Sequence, residues 1–188
     1  ITGGAISAAN LNTLASDTTI GNITATATET AAATLVGLTT TNTDMITVTM
    51  ASASTAAADL NTIDGKTGTA VNATAITALT GAASDVKTAL ASTGITTVTG
   101  SLAVNVSGNT SVADINTINA DTATGVVTAT ASETDATTLV TLTTTSNDAI
   151  TVTMAAASTA ATDLNTIDLA TGTAVNATAI TALTGAAS

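Results

Sequence analysis

Apolar and polar residues alternate in seven short segments of this chain, each reading Ile/Val, Thr/Asn, Ala/Val, Thr/Ser and then usually Ala or Met. The segments begin at Ile23, Ile46, Val71, Val104, Val127, Ile150 and Val175. A period of two sends successive side chains to opposite faces, so each segment predicts a half-buried strand, and Val, Ile and Thr favour that state. Between the segments the apolar spacing lengthens to three or four residues, at Leu11/Leu14, Leu35/Leu38, Leu60/Ile63, Val86/Leu90 and Ile115/Ile118. That spacing predicts short helices of two to three turns, which hold only when packed against a sheet. Ser54, Ser84 and Ser111 stand where N-caps belong, Asp114 completes a capping-box-like S-V-A-D, and the Ala56–Ala58 run favours helix.

The pattern repeats. Ser7–Ser84 laid on Ser111–Ser188 at a fixed offset of 104 residues gives 57 identities in 78 positions with no gap. Within it, Asp59–Ser84 and Asp163–Ser188 differ only at Gly65/Leu169 and Lys66/Ala170. The chain therefore divides into residues 1–6, the tail end of a preceding repeat; 7–110, one 104-residue repeat; and 111–188, a second, truncated repeat. The missing caps predict further repeats on both sides. Strand starts lie 23, 25, 33 and 23 residues apart around one period. One parallel strand plus one short helix about every 25 residues, four coils per repeat, predicts an α/β repeat solenoid with right-handed crossovers. Its Ile/Val and Ala strand faces would meet the Leu/Ile stripe of the helices. The alternative is an all-β parallel solenoid in which the A-D-L-N-T-I segments are turns. The long interval contains Gly94 to Gly100, an insertion or an extended strand with a bend.

Composition narrows the chemistry. Phe, Tyr, Trp, Pro, Cys and His are all absent, and Lys66 and Lys87 stand alone against thirteen acids, for a net charge of -11. Without imidazole or thiol there is no ordinary zinc site, no histidine base and no disulfide. Without Arg or aromatic rings there is neither a phosphate clamp nor a stacking platform, which excludes nucleic acid as a partner. Fifty Thr residues suggest a mucin-like stalk, but 45% hydrophobic content and strict periodicity argue for folding. A core made from Ala, Val, Ile and Leu alone is thin, which favours a narrow solenoid over one globular domain. No apolar run is long enough for a transmembrane segment, and no signal segment is visible.

Candidate sites are few. Asn12, Asn61, Asn116 and Asn165 recur in the A-D-L-N-T-I-like segments, where an inward amide would bond the backbone of neighbouring coils. The pairs Thr24/Thr26, Thr47/Thr49, Thr128/Thr130 and Thr151/Thr153 predict two Thr rows on the polar sheet face, interrupted by Asn72, Asn105 and Asn176. Such rows resemble those of ice-binding solenoids, although Thr is also what a solvated strand face prefers. Sequons occur at Asn22, Asn72, Asn105, Asn109 and Asn176. Acids gather at Asp59/Asp64, Asp114/Asp121, Glu133/Asp135 and Asp163/Asp168. None of these spacings matches an EF-hand loop or the nonapeptides of calcium-binding β-rolls, so no calcium or other cofactor is assigned and the acids read as solvated corners. Lys66 faces Ala170 in the repeat alignment and Lys87 has no second copy. Tandem near-identity does not suit a single active site, so no catalytic residue is assigned and the chain does not read as an enzyme.

T-G-T-A-V-N-A-T-A-I-T-A-L-T-G-A-A-S-D-V at Thr67–Val86 and A-D-L-N-T-I-D at Ala58–Asp64 resemble the Thr/Ala-rich β-strand repeats of giant bacterial cell-surface or secreted proteins. That family is common in marine cyanobacteria and includes the cell-surface protein of non-flagellar swimming. The resemblance implies a structural protein at the cell surface or outside the cell, forming a rod, filament or coat. Its partners would be further repeats or other copies of the same chain, and the cell envelope. A binding module, either an adhesin or an ice binder using the Thr face, is the alternative. A chain nearly free of Lys, Arg, His and Trp is also cheap in nitrogen, which suits a very large protein made in nutrient-poor water.

Overall fold

Alternating Thr and Val/Ile residues do form strands, and the Ala-rich stretches between them form helices. A computed structural model of the chain describes residues 2–17, 21–97, 101–122 and 124–185. In order, the elements are β1 (Thr2–Ile6), α1 (Ala8–Ala15), β2 (Thr24–Ala27), α2 (Ala32–Leu35), β3 (Met45–Thr47), β4 (Ser54–Ala56) and α3 (Ala57–Asp64). There follow β5 (Val71–Ala73), β6 (Ala78–Ala82), α4 (Ala83–Ala91), β7 (Ile95–Thr97), β8 (Ala103–Thr110) and α5 (Val112–Thr122). The remainder is β9 (Val127–Ala131), α6 (Ala136–Leu139), β10 (Ala149–Thr151), β11 (Ser158–Ala160), α7 (Ala161–Leu169) and β12 (Ala182–Thr184). The protein is thus mixed α/β, and seven helices among the described residues overturn the all-β alternative.

Every strand pair among the described residues is parallel. The sheets run β1-β2-β3, β10-β9-β8-β6-β4, β11-β12 and β5-β7, with single bridges at Thr49↔Asn72 and Thr153↔Asn176. Partners lie close in sequence. Thr24 pairs with Met45, Thr49 with Asn72, Ser54 with Ala78 and Ala78 with Ala103, so the strand pairs join residues 21 to 25 apart in sequence. The helices start at Ala8, Ala32, Ala57, Ala83, Val112, Ala136 and Ala161, so the fifth begins 104 residues after the first, as the internal repeat requires.

Several local expectations are corrected. Helices α2 and α6 are single turns of four residues rather than two to three turns. Thr and Val crowd both, at Thr34/Val36 and at Thr137/Thr138/Val140, and β-branched side chains resist continued helix. Two strands precede some helices, β3 and β4 before α3 and β5 and β6 before α4, so the pattern of one strand per helix is too simple. Ser54 is claimed by the β4 ladder and Ser84 lies inside α4, while the N-caps of α3 and α4 are Ala56 and Ala82 with no side-chain bond. Ser111 does cap: the Asp114 N–H donates to its Oγ at 3.1 Å. Its counterpart Ser7 accepts from the Asn10 N–H at 3.4 Å. Of the long interval, β7 is an extended strand paired with β5, and residues 98–100 lie outside the described residues.

The inward strand positions Ile23, Ile46, Val71, Val104, Val127 and Ile150 are buried together with Leu11, Leu35, Leu60, Ile63, Val86, Ile115 and Ile118 in one apolar cluster. Leu60 is fully buried and Thr49 is exposed. Leu60→Asp should therefore cost several kcal/mol, about 3 or more, by burying an unpaired charge, whereas Thr49→Asp should be mild. Thermal melts of the two variants test the assignment of faces, which equal losses of Tm would contradict.

Candidate functional site

The most specific side-chain geometry in the molecule is a set of polar clamps that tie one strand to the next. Asp44 precedes β3 and is 8% exposed; its repeat partner Asp148 precedes β10 and is 4% exposed. The Ile23 N–H donates to Asp44 Oδ1 at 2.8 Å, and the Thr41 N–H donates to Oδ2 at 2.9 Å. The second copy reproduces this, with the Val127 N–H on Asp148 Oδ1 and the Thr145 N–H on Oδ2, both at 2.9 Å. Each carboxylate thus replaces a carbonyl at the start of a parallel ladder. Backbone donors also satisfy its burial, which an unpaired carboxylate could not survive.

On its other side each aspartate meets the next element. Gly68 N–H donates to Asp44 O and Gly172 N–H to Asp148 O, both at 2.7 Å. A Cβ on Gly68 would lie 2.5 Å from Asn42 O, and one on Gly172 would lie 2.5 Å from Ser146 O, so only glycine permits the approach. The buried Thr67 hydroxyl donates to Ile46 O at 2.7 Å and accepts from Ile46 N–H at 3.0 Å; Thr171 does the same with Ile150 at 2.8 and 2.9 Å. One hydroxyl here stands in for a whole peptide group. Glu29 and Glu133 act further along, accepting from the Ala8 and Val112 N–H groups at 2.8 and 3.0 Å and so closing the first turns of α1 and α5.

Asn12 and Asn116 bond neighbouring backbone as expected from the sequence, but they are half-buried at the surface rather than inward. Asn12 Nδ2 donates to Gly37 O and its Oδ1 accepts from Thr39 N–H, both at 2.8 Å; Asn116 makes the same bonds to Thr141 and Thr143. Asn61 reaches Asp85 O at 3.0 Å, and its buried Oδ1 has no partner among the described residues, while Asn165 is exposed. The acids are not merely solvated. Asp64 accepts from the Ser92 hydroxyl, Asp114 pairs with Lys87, and Asp135 caps α6 through Thr138 N–H. Among the described residues no three carboxylates gather into a group that could hold a metal ion.

The two matched Thr rows do not form. Thr26 lies beside Thr47, but Thr24 faces Met45 and Thr49 faces Asn72; in the second copy Thr130 lies beside Thr151 while Thr128 faces Ala149. The sequence segments align by their first residues, whereas the ladder pairs Ala25 with Ile46, two residues out of that alignment. A slip of two keeps every apolar residue inward, so burial alone does not choose between the registers. The Asp44–Ile23 clamp and the Met45 N–H to Ile23 O bond at 2.7 Å accompany the observed one. The five sequon residues Asn22, Asn72, Asn105, Asn109 and Asn176 are all exposed, and the Oδ1 of Asn72 and Asn176 accepts the hydroxyl of Thr74 and Thr178 at 2.7 and 2.8 Å.

A cleft of about 310 Å³ between α2 and β4 is lined by Ala31, Ala32, Met50, Ala53 and Thr55, with Asp59 its one ionisable group. Clefts of about 210 and 180 Å³ recur at equivalent places beside Asp44 and Asp148, whose carboxylate oxygens are already taken. In both, a threonine hydroxyl donates to the carboxylate, Thr41 to Asp44 and Thr145 to Asp148, each at 3.3 Å. No helix among the described residues is long and apolar enough to cross a membrane.

Asp44→Ala should leave the Ile23 and Thr41 N–H groups without acceptors and cost about 1–3 kcal/mol at the buried Ile23 donor and less at the exposed Thr41, and Asp148→Ala should match it. Denaturant titration of both variants tests that equivalence. The Ala8 N–H holds the Glu29 carboxyl below its ordinary value of 4.5, and the Thr137 hydroxyl with the Thr138 N–H holds Asp135 below 3.8. A carboxyl lowered by folding stabilises the protein fully above its ordinary value and loses that contribution as pH falls through the folded one. Tm should therefore begin to fall below about pH 4.5, and Glu29→Gln should flatten that acid limb. Compared with family models, curated proteins and solved structures, the chain finds no match.

Proposed function

We propose that this chain is part of a structural repeat array, a solenoid of strand–helix units that serves as a stiff, acidic rod or coat outside the cell or on its surface. The observation that carries this reading is that all eight strand pairs among the described residues are parallel and join residues 21 to 25 apart in sequence. Clamps that recur at the 104-residue offset support it, because Asp44 and Asp148, or Thr67 and Thr171, do the same work in both copies. A site for one substrate has no use for that symmetry; an extended array does. The net charge of -11 suits a rod that must not aggregate sideways with its own copies. The resemblance to Thr/Ala-rich surface repeats points the same way, with further repeats as the principal partner and no catalytic role.

Parallel strands stack about 4.8 Å apart, so four units of one 104-residue repeat should lengthen the particle by roughly 19 Å. Electron microscopy of proteins carrying increasing numbers of repeats should show length rising linearly by that increment at constant width. A width that grows instead would contradict the solenoid. Fractionation of cells making the full-length protein should place it with the envelope or the medium, and a wholly cytosolic pool would overturn the assigned location.

A further inference from the structure

The five sequons differ in what their side chains already do. Asn22 has its amide nitrogen engaged, donating to Thr43 O at 2.7 Å. Asn105 lies within the β8 ladder between Thr80 and Thr128, and the third residue of its sequon, Ser107, is paired there with Ala82. Asn109 has Ser111 as third residue, and that hydroxyl caps α5. Asn72 is placed differently. It is the second of the three residues of β5, and Thr74 lies in the turn that follows, closed by the Ile76 N–H on Ala73 O at 3.2 Å.

At this strand end the Asn72 Oδ1 accepts both the Thr74 hydroxyl, at 2.7 Å, and the Thr74 N–H, at 3.2 Å. The carboxamide is thereby fixed through its oxygen, while its Nδ2 has no partner among the described residues. Asn72 is exposed, and so are Thr49 and Thr96, its partners on either side, so the amide stands on an open face between small side chains. Asn176 makes the same two bonds to Thr178, at 2.8 and 3.3 Å, and these are local to its own turn.

We propose that Asn72 and its repeat counterpart Asn176 are acceptors of N-linked glycan, transferred from a polyprenyl-diphosphate-linked oligosaccharide by an oligosaccharyltransferase. The asparagine Nδ2 attacks the anomeric carbon of the donor sugar, the bond from that carbon to the diphosphate oxygen breaks, and polyprenyl diphosphate leaves. The nitrogen gives up one of its two protons to a base, and no atom changes oxidation state. The proposal rests on the assigned location outside the cell, since an exported chain is the one that meets such a donor. It also gives the array a second means of keeping copies apart. None of the strands β1 to β12 contains a charged residue, so the acids that repel other copies lie on helices and turns, and a bulky, hydrated glycan at Asn72 would shield the uncharged sheet face.

The test is transfer in vitro onto the folded 188-residue chain, using a purified oligosaccharyltransferase that requires only N-x-S/T and a polyprenyl-diphosphate oligosaccharide, read site by site by peptide mass spectrometry. Asn72 should be glycosylated roughly tenfold or more faster than Asn22, which is also followed by Thr at the third position. In short peptides spanning the two sites that difference should vanish, because the Thr43 tie on Asn22 is gone. Thr74→Val should abolish transfer to Asn72 while Asn176 continues to react, and Thr74→Ser, which keeps the hydroxyl, should restore it. The proposal is overturned if Asn72 stays unmodified in the folded chain, or if Asn22 reacts there as fast as Asn72. Bare Asn72 and Asn176 in protein recovered from the envelope or medium of the cells that make it would also overturn the proposal and leave the assigned location standing. A cytosolic pool whose chain still accepts glycan in vitro would overturn the location alone.

Discussion

The parallel backbone ladder between neighbouring strands is what the rest of this structure depends on. With no aromatic side chain and a core of Ile, Val, Leu, Met and Ala, no single residue buries much area, and the apolar contribution of each unit is correspondingly small. Cohesion must come from the regular pairing of one unit with the next, and the polar clamps serve that pairing. Asp44, Asp148, Thr67 and Thr171 are buried polar groups, yet each bonds backbone of the adjacent strand, and the aspartates their own turn as well. They add direction to an interface whose apolar side chains are too alike to specify a register.

Much of the architecture was legible in the sequence, for a physical reason. Period-two and period-three-to-four spacing are direct consequences of strand and helix geometry, so all seven strand segments fall on strands or bridges, and Leu11, Leu60, Val86 and Ile115 fall on helices. Parallel pairing followed from placing a helix between strands. What the pattern could not give was register. Sliding β3 by two residues against β2 preserves every inward position, so the side-chain code is silent there, and the pairing Thr24↔Met45 goes with a buried aspartate that hydropathy alone treats as a surface charge.

The site residues show the same division. Asn12 and Asn116 were recognisable because they recur inside a helical segment and have an amide with both donor and acceptor. Asp44, Asp148 and Glu29 were not singled out, although a signal existed: Asp44/Asp148 and Glu29/Glu133 hold their place in both copies, whereas Asn10 stands where Asp114 does and Ala31 where Asp135 does. The carboxylates of Asp44, Asp148, Glu29 and Glu133 bond across units, whereas Asp114 and Asp135, without an acid at the equivalent place in the first copy, pair with a lysine or cap a helix. The capping serines failed at Ser54 and Ser84 because a strand runs straight into the helix and takes the backbone that a cap would use.

If units are held chiefly by their neighbours, stability belongs to interfaces rather than to units, and it must grow as interfaces are added. Equilibrium denaturant unfolding of chains with one, two and three 104-residue repeats measures this directly. The account predicts that midpoint and slope both rise with repeat number, steeply at first and then levelling as end effects fade. A midpoint and slope that stay the same from one repeat to three would mean that each repeat folds as an independent globule, and would contradict it.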